Sequence, residues 1–116
     1  MNLSQLKANG GFIDTQQVRK ELNWTHPDPH SGEPVTDVLV VQVRRQSFGV
    51  IERLFVAGEG EQSRNARFIA ASVSLGEDGE EELSYEDAYS LDPGLGFLIL
   101  NAVNEVNGTG GSPAKR

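Results

Sequence analysis

The chain has 116 residues and a mass of 12.6 kDa, the size of one ordinary domain, and can bury a single core without covalent staples. It contains no cysteine, which excludes disulfides, thiolate zinc sites, iron–sulfur clusters and cysteine nucleophiles together. Its formal net charge of −7 opposes the basic footprint that a nucleic-acid binder needs.

The charge is unevenly spread. Residues 1–55 are neutral, residues 56–107 carry Arg64 and Arg67 against eleven acids, and Lys115 and Arg116 return two positive charges at the end. The longest apolar runs, Val38–Val41 and Phe97–Leu100, fall far short of the ~20 residues that span a bilayer. Met1–Ala8 lacks the apolar centre of a secretion signal, so the protein is expected to stay in the cytoplasm where it is made.

In chain order, the first eleven residues can form one short helical turn that Gly10-Gly11 ends. Alternation over Val18–Thr25 predicts a strand with Val18, Lys20, Leu22 and Trp24 on one face, where only the stem of Lys20 fits apolar surroundings. His26–Pro34 holds three prolines and a glycine and reads as a surface loop. Val35–Arg44 is a second strand, with Leu39, Val41 and Val43 on one face and Val38, Val40 and Gln42 on the other. It pairs most simply with the first as an antiparallel hairpin. Apolar residues on both faces call for cover on both sides, or for a partner.

After Gln46 the period changes to that of helices. Ser47 caps a helix carrying Phe48, Ile51, Leu54 and Phe55 on one stripe, stopped by Gly58-Glu59-Gly60. Ser63 caps a second, with Ala66, Ile69, Ala70 and Val73 at helical spacing and Phe68, Ala71 and Leu75 beside them. Gly76–Glu82 is an acidic turn. Ser84 and Asp87 form a capping box for a short helix through Tyr89, and Asp92-Pro93 opens a longer one that Asn107-Gly108 closes. Thr109–Arg116 is Gly, Ser, Pro and charge, a disordered tail. The fold class is therefore α+β: an N-terminal antiparallel hairpin or small sheet packed with three to four C-terminal helices, in one domain over 1–108.

No catalytic constellation emerges. Trp24, His26, His30 and Glu33 have ligand-like composition, but the loop holding them imposes no regular geometry and nothing upstream supplies another ligand. Solvated histidines are the expectation, with no metal. The acids of 77–82 lack the spacing of a calcium loop, and the glycine pairs match neither phosphate nor dinucleotide fingerprints, so no cofactor is expected. At Arg44-Arg45-Gln46-Ser47-Phe48-Gly49, Ser47 as a cap and Phe48 as core is the structural reading. The functional alternative places Arg44, Arg45, Phe48, Ile51 and Phe55 on a partner surface, since arginine and aromatics are enriched at interfaces.

Four segments, taken in their order and spacing, resemble the tail assembly chaperones of long-tailed phages and prophages: Lys20–Trp24, Val41–Gly49, Phe68–Val73 and Leu91–Gly108. The similarity runs from about Leu6 to Gly108. It implies a non-enzymatic protein that keeps the long tape measure protein soluble in the host cytoplasm, helps recruit tail tube subunits and is absent from the mature virion. It also implies self-association, and a short product whose frameshifted longer form carries a second domain. No residue-level site comes with the resemblance. A structural head–tail or tail tube component, and an acidic mimic of DNA, are the alternatives from other functional classes.

Overall fold

In a computed structural model, residues 1–13, 16–56 and 63–108 are described, with the side chains of Phe55 and Val56 excepted. The expected tail and the Gly58-Glu59-Gly60 helix stop lie outside the described residues. A short helix, α1 (Leu3–Ala8), precedes the sheet.

The alternation in the first half becomes a long hairpin. Strands β1 (Gln17–Pro27) and β2 (Pro34–Arg44) pair antiparallel in one continuous register, from Gln17 opposite Arg44 to Pro27 opposite Pro34. Lys20, Leu22 and Trp24 are half-buried and their alternate neighbours exposed, as the spacing requires, whereas Val18, expected on the same face, is exposed. The loop expected over His26–Pro34 is shorter, because His26, Pro27 and Pro34 join the ladder. Both prolines sit where a sheet tolerates them: Pro27 on the edge strand, Pro34 at the first position of its strand.

Two further strands correct the reading of the second half. Helix α3 (Arg64–Ser72) stops before Val73, and Val73–Leu75 forms β3, antiparallel to Val41–Val43. The acidic turn then supplies β4 (Glu81–Glu82), giving the order β1-β2-β3-β4. Val73 and Leu75 fit the helical stripe by spacing, but Val73 adopts extended backbone at the helix C-cap and is fully buried beside Val43. A β-branched residue loses less in a strand than in a helix, and the sheet offers it a partner.

The helices otherwise follow their local signals. Ser47 accepts from Val50 N at the start of α2 (Phe48–Val56), and Ser63 accepts from Ala66 N at the start of α3. Ser84 and Asp87 make the capping box of α4 (Tyr85–Tyr89). Asp92 accepts from Leu95 N to start α5 (Pro93–Asn107), which ends at left-handed Gly108. The core lies where Val41 and Val43 of the sheet meet Phe68 and Ile69 of α3 and Ile99 and Val103 of α5. Each such side chain contributes about 1.5–3 kcal/mol on burial. Phe48, read as core, is instead 81% exposed, because it sits at the first position of α2 ahead of the half-buried Ile51 and Leu54.

The opposite sheet face is covered at one end only. Gln42 and Ser74 pair across β2 and β3 and are both buried. The Gln42 Nε2 donates to Gly76 O (3.2 Å) and Glu77 O (2.9 Å), which fold the β3–β4 turn onto the sheet. Gly79 permits this approach: its φ is +65°, and a Cβ would stand 2.8 Å from Gln17 Oε1 and 3.0 Å from Gln42 Cγ. Arg19 grips Glu77 through two bonds of 2.8 and 2.6 Å, which holds the Glu77 carboxyl below its ordinary pKa.

Candidate functional site

The segment joining β2 to α2 is tied down by contacts distant in sequence. Asn107, in the last turn of α5, accepts from Gln46 N at 2.6 Å and donates to Arg44 O at 3.3 Å. Gln46 in turn donates to Ala71 O (2.9 Å) and Ser72 Oγ (3.1 Å) at the end of α3, and Arg44 Nε donates to Ala71 O at 3.4 Å. The last carbonyls of α3 lack intrahelical partners, so these two side chains complete its C-terminus. The junction therefore has a fixed backbone, on which the exposed Arg45 and Phe48 are displayed.

Of the five residues expected on a partner surface, the structure separates three roles. Arg45 and Phe48 are exposed at the junction, Arg44 is half-buried and engaged with α3, and Ile51 is half-buried against the core. The side chain of Phe55 lies outside the described residues. Sequence reasoning missed Gln46 and Asn107, which hold the segment in place. No local signal marks them, because their partners lie 25 and 61 residues away.

The histidine loop resolves into a polar lock on the hairpin's outer end. His26 stacks on Trp24 with ring centroids 3.7 Å apart. Its Nε2 lies 2.6 Å from Asp37 Oδ2 and its Nδ1 2.9 Å from Pro27 O. Both partners are acceptors, so either neutral tautomer leaves one nitrogen facing oxygen without a proton; the imidazolium satisfies both. The His26 pKa is accordingly raised, chiefly by the Asp37 hydrogen bond, against the cost of burial, with Pro27 O and the charges of Asp37 and Asp92 adding to it. Among the described residues, no three His, Cys, Asp or Glu side chains are grouped to hold a metal ion.

An apolar groove of about 230 Å³ lies between α3, α4 and α5, walled by residues such as Ala66, Ile69, Leu91 and Leu100. Tyr89 and Phe97 line it and are largely exposed. It was not foreseen, since three helices contribute to it and none shows it alone. Among the described residues, no helix is long and apolar enough to cross a membrane.

A family model described as phage tail assembly chaperone, TAC, matches residues 4–107, nearly the whole chain. Comparison with curated proteins and with solved structures gave no match.

Proposed function

The chain belongs to the phage tail assembly chaperone family, and from that premise we propose that it binds the tape measure protein and keeps it soluble in the host cytoplasm. The observation that supports a binding role for this face is Phe48, an aromatic ring 81% exposed beside Arg45 on a pinned backbone. An exposed aromatic next to an arginine has the composition of an interface anchor. Phe48 and Phe55 follow helical spacing, so together with Arg45 they suit an apolar stripe on the client, with Ile51 between them half-buried against the core as their support. Arg44 supports them by holding the junction to α3. Binding, not catalysis, is the mode of action in this reading. Tail tube subunits are recruited through a frameshifted longer form, and the chain leaves before the virion matures.

Co-expression with the tape measure protein tests this. Arg45→Ala with Phe48→Ala alters two exposed side chains, so the melting temperature stays close to wild type while the client moves to the insoluble fraction. The reading is lost if the wild-type chain neither solubilises the client nor co-purifies with it. Stoichiometric amounts of the chain in purified virions would point to a structural component instead.

A further inference from the structure

One half-buried side chain at the end of α5 makes three hydrogen bonds, two of them to the β2–α2 junction. Asn107 Oδ1 accepts from Gln46 N at 2.6 Å, and Asn107 Nδ2 donates to Arg44 O at 3.3 Å and to Val103 O at 3.0 Å. Only one setting of the amide satisfies all three, because an acceptor must face Gln46 N and a donor must face the two carbonyls. The helix itself does not need the long-range pair. Gly108 N already donates to Asn104 O and closes α5 in a left-handed turn, so the bonds to Arg44 and Gln46 serve the segment around Arg45.

Arg44 O and Gln46 N are the backbone groups on either side of Arg45. In a parallel sheet one residue of the neighbouring strand takes both such groups, donating to the carbonyl and accepting from the amide. The Asn107 side chain supplies both functions in a single amide. Val40 O bonds to Gly76 N at 3.0 Å on the β3 side of β2, and backbone groups repeat every second residue, so Arg44 O faces that side too. There β3 pairs with β2 only as far as Val43, and Asn107 stands in for the strand that is missing beyond it. The side chains keep the alternation of a strand. Arg44 and Gln46 both reach Ala71 O, at 3.4 and 2.9 Å, and Arg45 between them is exposed. Without the Asn107 amide, two part-buried backbone groups lose their partner, and the segment that turns Arg45 and Phe48 outward is no longer fixed.

We infer that Asn107 is the positioning residue of the client face: its side-chain amide replaces a missing strand opposite Arg45 and holds Arg45 and Phe48 in the arrangement that binds. This rests on the client reading given above, and deepens it by assigning client affinity to a residue on a different element from the face. A surface already held in its bound arrangement loses less conformational freedom on binding than one that must first be ordered. Asn107 therefore acts on affinity through Arg45 and Phe48, without touching the client.

Full-length variants test it, each co-expressed with the tape measure protein and read by the client that co-purifies per chain. Asn107→Ala removes all three bonds and should lower that amount about five- to tenfold. Asn107→Asp keeps the shape and an acceptor for Gln46 N but loses both donors, and should shift it in the same direction. Gln42→Ala loosens the β3–β4 turn instead, and is the control for stability: at a comparable melting temperature it should retain the client. In a Phe48→Ala background, Asn107→Ala should add little, because the two act through one surface. Hydrogen exchange at Gln46 N reads the clamp without any client, and should quicken in Asn107→Ala while exchange at Val41 holds. An unchanged Gln46 amide overturns the inference. So do an equal loss of client in Gln42→Ala, fully additive losses in the double variant, or undiminished client in Asn107→Ala when Arg45→Ala with Phe48→Ala loses it. If Arg45→Ala with Phe48→Ala keeps its client, the client reading itself fails, and this inference falls with it.

Discussion

The two ends of the β1–β2 hairpin share one ladder and one alternation but are held by different forces. At the inner end, Val41 and Val43 are buried against the helices on one face, and Gln42 is buried under the β3–β4 turn on the other. At the outer end, Val38 is 61% exposed on the face where Gln42 is covered. Here the strands are joined by side-chain pairs, His26 with Asp37 and Thr25 with Thr36 at 2.7 Å, and within β1 the Trp24 ring stacks on His26. A regular strand pattern therefore specifies pairing without specifying what stabilises it. Packing makes the inner end part of the global unfolding unit, and the outer end should open locally at lower free energy.

The largest effect that separates the ends comes from the core beneath the inner one. Phe68→Ala removes a fully buried ring from the cluster containing Val41 and Val43 and should cost about 3–5 kcal/mol. Val38→Ala on the same strand as those valines should stay within about 0.5 kcal/mol. Urea denaturation reads both as shifts in midpoint at constant slope. Comparable shifts would mean that the outer end is as tightly packed as the inner.

Gln42→Ala is the next largest. It removes the two bonds to Gly76 O and Glu77 O and frees the β3–β4 turn from the sheet, at about 1–2 kcal/mol, since exposed carbonyls can turn to water. Hydrogen exchange should quicken at β3 and β4 while the outer hairpin is unchanged. Uniform acceleration along β1 would show that the turn does not act locally.

The inner end is also where reading the sequence succeeded and failed most instructively. The strands, the caps at Ser47, Ser63, Ser84 and Asp92, and the stop at Gly108 are local signals, and local chemistry suffices to read them. Val73 and Leu75 continue a helical stripe, and only the open edge of β2, formed thirty residues earlier, makes them a strand. At the junction, Arg45 and Phe48 could be named from composition. Their support by Gln46 and Asn107, and the opposite fates of Arg44 and Arg45, depend on where α3 and α5 end in space.

The outer end alone should respond to mild changes of pH. Because the folded-state pKa of His26 is raised, its contribution is fully present below the ordinary histidine value of ~6.5 and is lost as pH rises through the raised value. Above that, one ring nitrogen faces an oxygen without a proton, and exchange protection around Trp24 and Asp37 should fall while that of Val41 and Val43 holds. An NMR titration of the His26 ring gives the pKa directly. Asp37→Asn should lower it towards the ordinary value, because the first cause of the shift is the Asp37 hydrogen bond. An unchanged titration in that variant would leave the lock without its mechanism.

The smallest effect distinguishes a polar group that works from one that does not. Thr25 and Thr36 bond to each other in an exposed cross-strand pair, so Thr25→Val should cost a few tenths of a kcal/mol. Ser74 is completely buried at the inner end, opposite Gln42, and its Oγ has no hydrogen-bond partner. An unpaired buried hydroxyl costs free energy that a methyl group avoids, so Ser74→Ala should be neutral or stabilising by up to about 1 kcal/mol. A loss of stability on that change would mean that the hydroxyl is bonded in solution, most simply to a water held between Ser74 and the β3–β4 turn. The inner end would then depend on hydration as well as on packing.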